Sequence, residues 1–187
     1  MQSAEIQDTV KKIKRGFSLQ MNGVASGSMR EKGINSYLNW GIQLPALRKI
    51  AEEYGKDYDL AIALWKENVR ECKILATLIM PAERMDGQML SLWMEQTETQ
   101  EIAEYAAFNL YQYVADASIY GYLWIASDNT LVQICGYNLL ACLFKKGSQP
   151  SERDINEFID QAIAALSDKA VGVKHAAMNS PVSYTHL

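Results

Sequence analysis

The sequence predicts an all-α chain, an α-solenoid or superhelix of stacked helical pairs, on three observations. Apolar residues recur at i, i+3/i+4 and i+7 from Ile6 to Leu166. Short helical segments alternate with longer ones roughly every 30 to 35 residues. No alternating strand pattern competes anywhere along the chain.

The first helix is expected from Ser3 to Met21, with Ile6, Val10, Ile13 and Phe17 on one stripe and Lys11, Lys12, Lys14 and Arg15 on the other side. That basic cluster reads either as a solvated face or as a contact for phosphate or an acidic partner. The small-residue run Asn22-Gly23-Val24-Ala25-Ser26-Gly27-Ser28 lacks the Gly-Lys-Ser/Thr ending of a phosphate loop and reads as a close-packing turn. The stretch from Asn39 to Met80 organises the rest of the chain. Gly41 can take a backbone angle forbidden to other residues, and Pro45 suits the first turn of a helix. Leu47, Ile50, Ala51 and Tyr54 then share a face, and after the Gly55 break so do Leu60, Ala61, Leu64 and Trp65. A third helix carries Cys72, Leu75, Ala76 and Ile79 inward and ends at Pro81.

The same code repeats downstream. Met85, Met89, Leu92 and Trp93 mark a short helix, and Ala103, Ala106, Ala107, Leu110 and Val114 a longer one. Ile119, Tyr122 and Leu123 mark the next short member, and Asp128 or Asn129 caps a long one with Leu131, Cys135, Leu139 and Cys142 inward until Gly147. Ser151-Glu152-Arg153-Asp154 resembles a capping box and opens a helix bearing Ile155, Phe158, Ile159, Ala162, Ile163 and Leu166. The spacing is a little shorter than that of the usual HEAT repeat, so the pairs are HEAT-like. A last helix begins at Ala170 and is expected to stop at Asn179. Residues 180–187 read as a non-native tail on a C-terminally truncated single domain of residues 1–179.

Composition sets the class. The chain has 187 residues, 49% apolar and 21% charged, with a formal net charge of −4. Nothing reads as a signal peptide or a membrane span, so a cytoplasmic protein with no membrane contact is expected. Cys72, Cys135 and Cys142 have neither disulfide-framework nor zinc spacing, and His175 and His186 stand apart, so no metal and no cofactor is expected. The acidic balance argues against a surface that is a polyanion receptor throughout, while leaving room for a local basic face.

The turn Gly41-Ile42-x-x-Pro45-x-x-Arg48, Leu64-Trp65, Glu71 and the run Trp124-Ile125-Ala126-Ser127-Asp128-Asn129 resemble the DNA alkylation repair family of AlkD-like alkylpurine DNA glycosylases, from about Met21 to Asn179. The resemblance implies a stack of HEAT-like pairs whose concave face takes duplex DNA. In active members it implies removal of N3- or N7-alkylated purines by aromatic side chains and a carboxylate beside the sugar. Their Trp-Trp-Asp-x-x-Asp segment corresponds, on this resemblance, to Ile102-Ala103-Glu104-Tyr105-Ala106-Ala107. The catalytic carboxylate then falls at Ala107, the catalytic arginine at Ile134 and the last aromatic near Asn179. No catalytic residue is matched, and Glu104, aligned with the first acid, is the one candidate, with Tyr105 beside it.

Nucleic-acid contacts are expected from Arg48, Lys73, Lys145, Lys146, Lys169 and Lys174 on the second helices of successive pairs. Lys145 and Lys146 also suit a helix C-terminus. Glu71 reads as a buried acid bonded to the neighbouring turn or paired with an arginine such as Arg48, or else as a catalytic acid. Trp124 reads as core or as a stacking platform. The functional expectation is a monomeric duplex-DNA binder of the repair family. The alternative is a non-catalytic scaffold with a protein partner.

Overall fold

The computed structural model describes residues 3–31, 36–168 and 170–185, and these are helical apart from connections and one isolated parallel bridge between Leu38 and Val69. The chain divides into two compact units, Met1–Met85 and Asp86–Leu187.

The first unit holds α1 (Ser3–Leu19), α2 (Gly23–Glu31), α3 (Leu44–Tyr54), α4 (Tyr58–Trp65), α5 (Arg70–Ile79) and a 3-10 turn at Ala82–Arg84. The expected stripe Ile6, Val10, Ile13, Phe17 is buried on α1, which packs on α4. Leu60, Ala61, Leu64 and Trp65 of α4, and Cys72, Leu75, Ala76 and Ile79 of α5, are buried as the spacing requires. An indole such as Trp65 contributes about 1.5–3 kcal/mol through this burial. Asp57 caps α4 by accepting from the Leu60 amide at 2.9 Å, and Gly55 closes α3 by donating to the Ala51 carbonyl at 2.9 Å.

Between α2 and α3 the chain makes the sharp bend expected at Gly41, where φ is +72°. A Cβ here would lie 2.3 Å from the Asn22 carbonyl oxygen and 2.8 Å from the Ser26 amide, so glycine is required by conformation and by space. The run 22–28 packs closely, as expected, but forms a helix where its composition suggests a turn. Asn22 caps it by accepting from Ala25 at 3.0 Å, and its own amide donates to the Trp40 carbonyl at 2.9 Å. The Ser26 hydroxyl donates to the Asn39 carbonyl at 2.8 Å. Tertiary anchors thus overcome the poor helix propensity of a Gly/Ser-rich run.

The second unit holds α6 (Gly87–Glu95), α7 (Gln100–Asn109), a 3-10 turn at Tyr111–Tyr113, α8 (Ala117–Ile125), α9 (Thr130–Lys145), α10 (Glu152–Asp168) and α11 (Val171–Thr185). α9 is its spine, packed against α7, α8 and α11. Asn129 is the cap of α9, accepting from Leu131 at 2.9 Å and Val132 at 3.3 Å. Ser151 and Asp154 form the expected capping box, the Asp154 amide donating to Ser151 Oγ at 3.2 Å and the Ser151 amide to Asp154 Oδ2 at 3.1 Å.

Other expectations change in this unit. The helix expected to run through Val114 ends at Asn109, because the chain tightens into the 3-10 turn and the Gln112 side-chain amide donates to the Phe108 carbonyl that the helix end frees. On α8 the expected marks Ile119 and Leu123 are 63% and 64% exposed, and the helix turns Ala117, Gly121, Trp124 and Ile125 inward instead. The reason is close approach to α9. A Cβ on Gly136 would sit 2.8 Å from the Ile125 amide nitrogen and 2.9 Å from Trp124 Cβ, and one on Gly121 would sit 2.6 Å from Leu140 Cδ2. On α10 Phe158, Ala162 and Ala165 are buried while Ile159, Ile163 and Leu166 are exposed. α11 continues past Asn179 to Thr185, with buried Ser180 Oγ 2.8 Å from the Tyr137 carbonyl of α9 and 3.0 Å from the Ala176 carbonyl.

The core around α9 is aromatic. Phe158 meets Tyr137 and Phe144 edge-on at 5.9 and 5.7 Å, and Tyr111 meets Trp124 at 5.6 Å.

Candidate nucleic-acid interface

The charged groups named by the sequence fall into two kinds, those buried in the fold and those at its surface. Glu71 belongs to the first. It stands in the first turn of α5, fully buried, where a carboxylate is favoured by the helix dipole. It accepts the amides of Trp40 and Ile42 at 3.2 Å and pairs with the Arg70 guanidinium at 3.1 Å. Arg70 also donates to the Ile42 carbonyl at 3.1 Å. The partner is thus Arg70 in place of Arg48, and the bond to the neighbouring turn is as expected.

Lys73 also belongs to the fold. It is only 7% exposed, donates to the Trp65 carbonyl at 2.5 Å, and its ammonium lies 4.6 Å from the Trp65 ring centroid and 5.6 Å from that of Tyr37. The expectation of a phosphate contact there gives way to a buried cation–π lysine. Spacing on a helix cannot signal this, because the rings come from other segments.

Around the site of the resemblance, Ile102, Ala103 and Ala107 of α7 and Ile134 of α9 are all buried, and α7 packs on α9. Glu104 is half-buried and accepts from the Gln100 amide at 2.7 Å, one helical turn away. It is therefore tied to its own helix. Trp124 is core, packed between Tyr111 and Tyr120. Among the described residues no three His, Cys, Asp or Glu side chains are grouped to hold a metal ion.

The solvent cations are distributed between the units. In the second, Lys145 and Lys146 end α9, both exposed. Lys146 Nζ lies 3.6 Å from the ring centroid of Tyr113 and donates to the Gln112 carbonyl at 3.3 Å. Partial burial holds its ammonium below the usual lysine range. Lys145 and half-buried Lys174 on α11 are the other expected contacts here, and Lys169 lies outside the described residues. The exposed Tyr113 does not stand out in the sequence; an aromatic next to a terminal lysine pair is a signal for nucleic acid only once the 3-10 turn brings them together.

In the first unit Arg48 is exposed on α3. On α1, Lys11 pairs with Asp8 at 3.1 Å and Lys14 with Glu67 at 2.5 Å. Lys12 and Arg15 are exposed and make no ion pair with a described residue.

The profile of the DNA alkylation repair enzyme family matches residues 17–180. The chain belongs to that family. No curated protein matches it. A solved structure described as "a new family of proteins related to the HEAT-like repeat DNA glycosylases with affinity for branched DNA structures" aligns with a TM-score of 0.80 at 15% identity, over 92% of this chain and 74% of that one. The fold is therefore that of the HEAT-like repeat proteins, all-α and built of helical pairs, as the periodicity predicts. No described helix is long and apolar enough to cross a membrane.

Proposed function

We propose that this family member is a non-catalytic DNA-binding protein that holds the phosphate backbone with surface cations, among them Lys145 and half-buried Lys174 of the second unit. The observation that carries the reading is the burial of Ala107 and Ile134 where active relatives are expected to place a carboxylate and an arginine. An alanine in an apolar seam cannot stabilise an oxocarbenium-like sugar. The affinity for branched DNA described for the structural relative supports DNA as the ligand. Lys146, engaged by Tyr113 and Gln112, positions that corner more than it grips phosphate.

Fluorescence anisotropy with labelled duplex and four-way junction tests the binding. Each phosphate neutralised adds about −0.9 to the log–log salt slope, so affinity is expected to fall steeply between about 50 and 200 mM salt. Lys145→Glu with Lys174→Glu weakens both substrates. No binding at low salt, together with a stoichiometric protein partner that survives nuclease, would replace this reading by the scaffold. Release of free base from DNA carrying 7-methylguanine would restore an enzyme.

A further inference from the structure

The turn joining α1 to α2 does something the fold does not need. Every residue from Ser18 to Val24 is exposed, and three of them are large and apolar, Leu19 at 88%, Met21 at 57% and Val24 at 86%. The corner is held from both sides. Phe17 is fully buried before it, the Asn22 amide donates to the Trp40 carbonyl at 2.9 Å within it, and buried Ser26 comes after it. An apolar tip on a braced turn is costly in water and calls for a partner.

Charge identifies the partner. Lys12, Arg15 and Leu19 stand at i, i+3 and i+7, one stripe of α1, so two cations lead up to the tip. They are the members of the basic cluster without an ion pair among the described residues. Behind the corner lies an open cleft of about 480 Å³ lined by Gln20, Gln43, Pro45, Lys49, Ile50 and Glu53. Its apolar wall suits the face of a nucleobase, its two amides and carboxylate a base edge, and Lys49 a phosphate.

Resting on the DNA reading above, we propose that this corner is a branch-point reader. Leu19, Met21 and Val24 wedge against the open base step where strands part, Lys12 and Arg15 hold the flanking phosphates, and the cleft takes the unpaired nucleotide. Intact duplex keeps its bases stacked and must unstack to admit a wedge, whereas a branch offers an open step without that cost. A lipid surface also attracts mixed basic and apolar groups, but interfacial helices present a continuous apolar face, and on α1 that face is buried in the core.

The test compares the wild-type chain with a Leu19→Ser, Met21→Ser, Val24→Ser variant on a four-way junction carrying 2-aminopurine at the branch and on linear duplex of equal length. The expected result is a loss of junction affinity of about tenfold, the scale of a lost stacked base, with duplex affinity unchanged and the 2-aminopurine response abolished. Lys12→Glu with Arg15→Glu weakens both substrates, and Gln43→Ala lowers the 2-aminopurine response alone. If the wild type binds DNA and the triple variant keeps the same junction preference and response, the reader is overturned while DNA binding stands. If the wild type binds no DNA, both fall. Binding to phosphatidylserine vesicles that the triple variant loses, with junction preference intact, would assign the corner to lipid and overturn the proposal.

Discussion

The two units solve one problem, how to hold neighbouring segments in register, by opposite means. In Met1–Met85 a buried carboxylate does it, with Glu71 gathering the Trp40 and Ile42 amides and the Arg70 guanidinium around one point. In Asp86–Leu187 the absence of side chains does it, with Gly121 and Gly136 letting α8 and α9 touch and aromatic edges filling the remaining space. The polar solution fixes an irregular loop, whose amides have no helix to satisfy them. The glycine solution fixes two regular helices, whose amides need nothing further. A buried ion pair adds little net stability over an apolar replacement but is costly to break, and a glycine contact is costly to fill.

That contrast can be broken by substitution, most strongly at Glu71. Glu71→Ala removes the counter-charge of a buried guanidinium and the acceptor of two amides and is expected to cost about 3–5 kcal/mol in urea unfolding. Glu71→Gln, which keeps an acceptor, costs less. A loss below about 1 kcal/mol for the alanine variant would mean that the loop has another anchor. Gly136→Ala comes next, at about 1–3 kcal/mol, because the new methyl meets backbone that cannot yield. Gly121→Ala meets only the Leu140 side chain, which can turn aside, so a lower thermal shift than for Gly136→Ala is expected. Equal losses at the two glycines would show that α8 moves as a rigid body.

The smallest effect near neutrality is a titration. Burial, the largest cause, pushes the Cys72 thiol up to about 12, against roughly 8.5 in an unfolded chain. The folded state keeps the proton longer, so this contribution is whole below about pH 8.5 and is lost as pH rises towards 12. Urea midpoints measured from pH 8 to 10.5 are expected to fall, with a shallower decline in Cys72→Ala. Burial raises Cys135 and Tyr111 in the second unit in the same direction, so a part of the decline survives that substitution.

Where periodicity and cap chemistry carry the information, the sequence is legible. The α1 stripe, the Gly41 bend, the Asn129 cap and the Ser151–Asp154 box all follow from local physics. The misreadings arise where tertiary contact overrides it. A rule that looks for large apolar residues points α8 by Ile119 and Leu123 and cannot see that Gly121 is the packed side. The helix α2 depends on Trp40 and Asn39 from another segment. The candidate cations are legible as charges but not as free ones. Lys73 and Lys146 each find an aromatic ring that no spacing along a single helix could announce, while Lys12 and Arg15 look no different in sequence from paired Lys11 and Lys14.

The Glu71 cluster also sets a clock. It joins residues about thirty positions apart, so the amide protons of Trp40 and Ile42 stay shielded until α5 leaves its seat. Deuterium should enter those two sites at the rate of the slowest helical amides, although both lie in a stretch with no regular structure.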